Sequence, residues 1–164
     1  NVDAVQWFAA EALPILRARY PKLAFYIVGA RPAPAVQELA KLEGVTVTGT
    51  VPDVRPYIAH ARAAVAPLRI ARGIQNKVLE AMAMATPTVV SPQALEGIDA
   101  APGSELAVAD GAPAWIETVG ALLARRRREV DWALRHLGRT ESTGTYGANG
   151  YTGSRAQARQ LAVV

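Results

Sequence analysis

The chain has 164 residues, 51% of them hydrophobic and 20% charged, with no cysteine and a formal charge of +4. This balance suits one globular domain with a sizeable core and excludes an intrinsically disordered chain. The missing cysteines exclude a disulfide framework, a thiolate metal site and a cysteine nucleophile, and no run reaches the roughly 18 apolar residues of a spanning helix.

The chain opens at Asn1 with no Met, basic n-region or apolar signal segment, so it is expected to lie inside a longer gene product. Residues 3–20 carry Val5, Phe8, Ala9, Ala12, Ile15 and Leu16 at helical spacing, with Pro14 placed to kink or divide the helix. Leu23 to Val28 is a continuous apolar run ending at Gly29, the mark of a strand covered on both faces. Pro32 and Pro34 make a loop, Ala35 to Leu42 a short helix, and Val45 to Thr48 a second strand closed by Gly49. Asp53 to Ala61 reads as a helix with Asp53 as N-cap and Pro56 in its first turn. Ala63 to Ala66 is a third strand, stopped by Pro67; a helix over about 74–85 and a strand from Thr88 to Ser91 follow. A weaker strand at Leu106 to Ala109 leads to a helix over roughly 113–128.

Strands alternating with helices at this spacing predict an α/β domain, a Rossmann-like parallel sheet with helices on both faces. In such folds ligands collect beyond the carboxyl ends of the strands. Gly29, the turn Gly49-Thr50-Val51 and the 67–76 loop all fall there. Gly138 to Arg155 is rich in Gly, Thr and Ser without an apolar period, and reads as loop or disorder followed by a short helix over 154–162. The domain is therefore set at residues 1–137, with 138–164 as an irregular segment.

One stretch concentrates chemistry: RGIQNKVLEAMAMATPTVV, residues 72–90. At 100° per residue Gly73, Lys77, Glu80 and Met84 share one helical face, while Ile74, Val78, Ala81, Met82 and Ala85 face the sheet. Free amides at Gly73, Ile74 and Gln75 and the helix dipole would make an anion site, with Arg69, Arg72 and Lys77 adding positive charge. Glu80 would lie about 10 Å down the axis from Gly73, roughly the span from a diphosphate to its ribose hydroxyls. A carboxylate accepts two hydroxyl protons well, so a nucleoside diphosphate fits. The plain alternative is a solvent-facing i,i+3 pair of Lys77 and Glu80, worth a few tenths of a kcal/mol.

From Val47 to Pro92 the chain resembles the donor-binding half of the family-4 retaining glycosyltransferases of GT-B fold. It is most similar to bacterial sugar transferases of exopolysaccharide assembly. The runs that carry the resemblance are VTGTVPDVRPYIAHA, APLRIARGIQNKVLEAMAM and SPQALEGI. The family pairs two glutamates with seven residues between them. Glu80 matches the second, which the resemblance assigns to the ribose hydroxyls, and Gly73 and Ile74 match residues whose amides meet the donor. The first acid falls on Arg72, a departure that suits a diphosphate or an acidic sugar instead. Ala85 stands where the family commonly has glycine. A family-4 donor domain begins with a strand, a glycine loop and a basic pair; by this resemblance Asn1 would fall just after that strand, and the acceptor-binding N-terminal domain would be expected outside this sequence.

The resemblance thus implies a hexosyltransferase acting on a nucleoside diphosphate sugar and a hydroxyl acceptor, with no cofactor and no metal. Donor-binding residues would be Glu80, Gly73, Ile74, Arg72, Lys77, Arg69, Gln75, Gly29, Gly49 and Val51; no catalytic residue is assigned. Without its acceptor domain the chain alone is expected to be inactive. The run Arg125 to Arg128 reads as a solvated helix end, or as a contact with acidic lipid that would place the protein at the inner face of the cell membrane. Nucleic acid is not expected as a partner, since no aromatic platform accompanies the charge. His60 reads as a capping or surface residue, and neither an Asp-x-Asp, a G-x-G-x-x-G nor a G-x-S-x-G motif occurs. A nucleotide-sugar epimerase and a non-catalytic nucleotide- or partner-binding module are the alternative readings.

Overall fold

The computed structural model describes residues 1–124 and 160–163. Its strands are β1 (Ala24–Val28), β2 (Val45–Gly49), β3 (Ala63–Ala66), β4 (Thr88–Val90), β5 (Ala107–Val108) and β6 (Gln160–Val163). The helices are α1 (Val2–Glu11), α2 (Leu13–Arg19), α3 (Pro34–Gln37), α4 (Arg55–His60), α5 (Asn76–Ala83), α6 (Pro92–Leu95) and α7 (Gly111–Ala124), with a 3₁₀ turn over Glu38–Lys41. The strands form one parallel sheet in the order β2-β1-β6-β3-β4-β5, so the α/β Rossmann-like architecture expected from the sequence is present.

Pro14 divides the first helix as its chemistry requires. The chain breaks at Ala12 and resumes with Pro14 in the first turn of α2, where a missing N–H costs nothing. Alternation along the strands then sorts side chains between the two faces. Phe25, Ile27, Ala63, Val65, Val89 and Leu161 pack with Val5 and Phe8 of α1, Leu16 of α2 and Trp115, Val119 and Leu123 of α7. Phe8 stands with its ring centroid 5.1 Å from Phe25 and 5.8 Å from Trp115, edge-on to the latter. On the other face Ala64 meets Ile58 of α4 and Ala81 of α5, while Ala66 and Val90 meet Val78 and Ala94. Alanines at 63, 64, 66 and 81 let backbones approach closely, which explains how a chain poor in aromatics fills its core.

Three expectations are corrected. Residues 160–163 form a strand, not part of a helix over 154–162: Gln160 to Val163 pair with Ala24 to Ile27 on one side and, from Leu161 on, with Ala63 to Val65 on the other. Only a tertiary partner could reveal this, because a four-residue apolar end carries no periodicity. β6 thus fills the position between β1 and β3. Second, α4 starts at Arg55 rather than Asp53, although the Asp53 carboxylate still accepts from Arg55 N at 2.9 Å. Third, α5 starts at Asn76, two residues later than expected. The run Arg125 to Arg128, His136 and the segment 138–159 lie outside the described residues.

The far end of α5 holds a further cost. Ala85 is left-handed (φ +52), Ala85 N donates to Met82 O, and Thr86 N reaches back to Ala81 O at 3.1 Å. That is the six-to-one closure that normally places glycine in the left-handed position. Ala85→Gly should therefore raise stability by about 1 kcal/mol, read as a shift of the urea midpoint at constant slope. Leu161 is fully buried between β1 and β3. Its replacement by alanine should cost roughly 2–5 kcal/mol in the same assay; a loss below 1 kcal/mol would contradict the strand's place in the sheet.

Candidate functional site

Because all strands run the same way, their carboxyl ends share one edge of the sheet. Beyond β6 the chain order runs outward in both directions, β1 then β2 one way and β3, β4, β5 the other. That reversal opens a crevice between the loops after β1 and β3. A cavity of about 200 Å³ lies there, lined by Ile27, Val28 and Gly29 from β1 and its loop, Ala66 and Leu68 after β3, Gln75, Lys77 and Val78 from α5, and the start of α1. Pockets that enclose a whole drug-sized ligand measure about 300–1,000 Å³, so this one covers part of such a ligand.

Its charged side chains are of one sign. Lys77 and Arg31 are its charged side chains, and no carboxylate lines it. Lys77 extends from the first turn of α5 toward the loop after β1; a Cβ added to Gly29 would stand 3.8 Å from its ammonium nitrogen. Gly29 therefore leaves the ammonium room beside the backbone. Burial holds the Lys77 pKa below its ordinary 10.5, partly offset by the Glu80 carboxylate. Yet the two form no ion pair within 4.0 Å, so the ordinary i,i+3 surface bridge is not what the helix makes. Lys77 lines the cavity while remaining solvent-exposed, and no counter-charge is bonded to it.

The other predicted residues are more scattered. Gln75 lines the cavity, and its side-chain amide donates to Gly73 O at 2.9 Å, bracing the loop before α5. Gly73 is left-handed (φ +71), a conformation that suits glycine there. Since the helix begins at Asn76, the amides of Gly73 and Ile74 belong to this loop rather than to the first turn. Ile74 and Arg72 are exposed and do not line the cavity. Arg69 is paired: its guanidinium meets the Asp3 carboxylate of α1, with Nε at 2.8 Å, and each partner holds the other charged, lowering the Asp3 pKa and raising that of Arg69. Gly49 ends β2 and Val51 follows it, next to β1 and outside the cavity lining. Glu80 is half-exposed, one turn beyond Lys77. His60 Nδ1 lies 2.7 Å from Pro56 O at the end of α4, a structural contact.

Sequence reasoning missed Arg31 and the start of α1 as parts of the cavity wall. Arg31 is one of two described non-glycine residues with positive φ, at +49. Such a conformation costs roughly 1–3 kcal/mol. The signal available was modest: an arginine beside the strand-ending Gly29.

The sequence model of one family, Glycosyl transferases group 1, matches residues 1–140. The chain belongs to the group 1 glycosyltransferases. No curated protein and no solved structure matches it significantly. The parallel sheet is consistent with one half of a GT-B glycosyltransferase. The matched span ends before β6, so the transferase's central strand comes from outside it. Among the described residues no helix is long and apolar enough to cross a membrane.

Lys77 supplies a pH signature with a definite sign. Its folded pKa lies below the 10.5 of the free side chain, so between those two values the unfolded chain binds more protons. Stability should rise with pH across that window. Lys77→Met should lose this rise and be at least as stable as the parent at neutral pH, measured by urea midpoints along a pH series. An unchanged pH profile in the variant would show that Lys77 is not desolvated.

Proposed function

We propose that this group 1 glycosyltransferase chain is the donor-binding half of a family-4-type retaining enzyme. In this reading it takes a nucleoside diphosphate sugar, and its sugar passes to a hydroxyl acceptor held by a second domain. The observation that carries the reading is the cavity at the sheet's switch point, whose two charged side chains are both cations and whose lining has no acid. An anion is attracted by a cation that no carboxylate already neutralises, and Lys77, which lines the cavity and bonds no acid, is such a charge.

The protein's contribution is electrostatic. Lys77 lies beside Gly29, where the departing diphosphate would approach the backbone, and stabilises the charge that develops as the glycosidic bond breaks. Glu80, one turn further along α5, accepts from the ribose hydroxyls. Gly73 and Ile74 bring loop amides to the donor, and Arg72 stands on the same loop to meet an acidic group of the sugar. Gly49 and Val51 border the nucleotide from β2. Arg69 contributes indirectly, by tying α1 to the loop after β3 through Asp3. The proposed setting is exopolysaccharide or cell-surface glycan synthesis at the cytoplasmic face of the membrane, with the basic run at 125–128 toward acidic lipid. Arg72, where the family has an acid, favours a second reading: a non-catalytic module that binds a nucleotide.

Titration with UDP-, GDP- and ADP-sugars tests both. One of them should bind, and Lys77→Met should weaken it by tenfold or more, about 1.4 kcal/mol. Affinity should fall as pH rises through the lowered Lys77 pKa, because only the protonated side chain attracts the ligand. Glu80→Gln should weaken the sugar nucleotide while sparing pyrophosphate. Binding indifferent to both substitutions would refute the site. Joined to an acceptor domain, the chain should turn over its donor on the first reading and bind it without turnover on the second; alone it should show no turnover.

A further inference from the structure

Two described residues other than glycine hold left-handed backbone, and the conformation serves them differently. At Ala85 it closes α5 and satisfies the helix's last carbonyls. At Arg31 no helix ends. Arg31 also immediately precedes Pro32, whose ring favours extended backbone in the residue before it. Its surroundings hold it there: Gln37 Nε2 donates to Pro32 O at 2.9 Å, and the Ala33 carbonyl accepts from Val36 N and Gln37 N at 2.9 and 3.0 Å. Glycine would relieve this strain, yet the position carries a long cation that lines the cavity with Lys77. No hydrogen bond or ion pair joins Arg31 to another described residue.

We infer that Arg31 is a ligand-recognition residue of this cavity, whose guanidinium makes the site selective for a diphosphate over a single phosphate. The inference rests on the proposed donor site. Lys77 arrives from α5, beyond β3, and Arg31 from the loop after β1, so the two cations come from opposite sides of the switch point. An ammonium is a compact point charge, whereas a guanidinium presents a planar fork that grips two phosphoryl oxygens at once. One phosphate satisfies one of these groups. Two linked phosphates engage both, and the hydrogen-bonded loop fixes the backbone from which the exposed Arg31 side chain reaches.

Calorimetric titration of the full 164-residue chain with pyrophosphate and with inorganic phosphate tests this. The parent should prefer pyrophosphate by at least tenfold. Arg31→Gly should lose at least tenfold in pyrophosphate affinity and less than threefold in phosphate affinity, while its melting temperature rises. Arg31→Lys should recover part of the affinity but not the selectivity. Ala85→Gly, which relieves strain away from the cavity, should raise the melting temperature and leave both affinities unchanged. If Arg31→Gly binds pyrophosphate like the parent while Lys77→Met does not, the role of Arg31 is overturned and the donor site stands. If it loses both ligands equally, the selectivity is overturned. If the parent binds no pyrophosphate, both the inference and the donor site fall.

Discussion

β1 and β3 do not pair with each other; a single four-residue strand joins them. β6 pairs with β1 on one side and β3 on the other, and its Leu161 and Ala162 are fully buried. Without it two half-sheets would present unpaired edges to one another, and buried backbone groups would lack partners. The register of β6 also sets the two halves against each other, which fixes how far apart their carboxyl ends stand. The cavity sits across that junction, with Gly29 and Arg31 on the β1 side and Leu68 and Lys77 on the β3 side. Its width is therefore a consequence of strand pairing deeper in the sheet.

The electrostatics of the site follow from this placement. Small residues on β3 and α5 bring the helix close to the sheet, so the first turn of α5 opens directly over the crevice. Lys77 stays solvent-exposed beside the crevice, while Glu80 is near enough to favour its charge but not to bond it. Arg69, equally basic, is neutralised by Asp3 and serves to hold α1 instead. Charge count along the loop thus overstates the positive charge available to a ligand.

The chain's match to the group 1 glycosyltransferases covers residues 1–140. Its boundary gives β6 a particular interest. The central strand lies beyond the match, paired in a slot whose neighbours Ala63, Ala64, Phe25 and Ile27 all lie within it. The slot asks little of its occupant: an apolar side chain toward α1 and α7, and a small one toward α4.

Much of the fold was legible from local chemistry. Apolar runs bounded by glycine or proline marked β1 through β4, Pro14 divided the first helix, and alternation of elements implied the parallel sheet and the edge where ligands gather. In the site, Lys77, Gln75 and Gly29 were legible because a helix start and a strand end are readable from spacing. What local chemistry could not supply were pairings between residues far apart. β6 needs β1 and β3 to be a strand at all, and Arg69 needs Asp3, 66 residues away, to lose its free charge. Arg31 needs a pinned loop to hold backbone it would not adopt alone. A sequence determines which segments can be helix, strand or cation; only the folded chain decides which edges meet and which charges remain unpaired, because those depend on distances that no local spacing encodes.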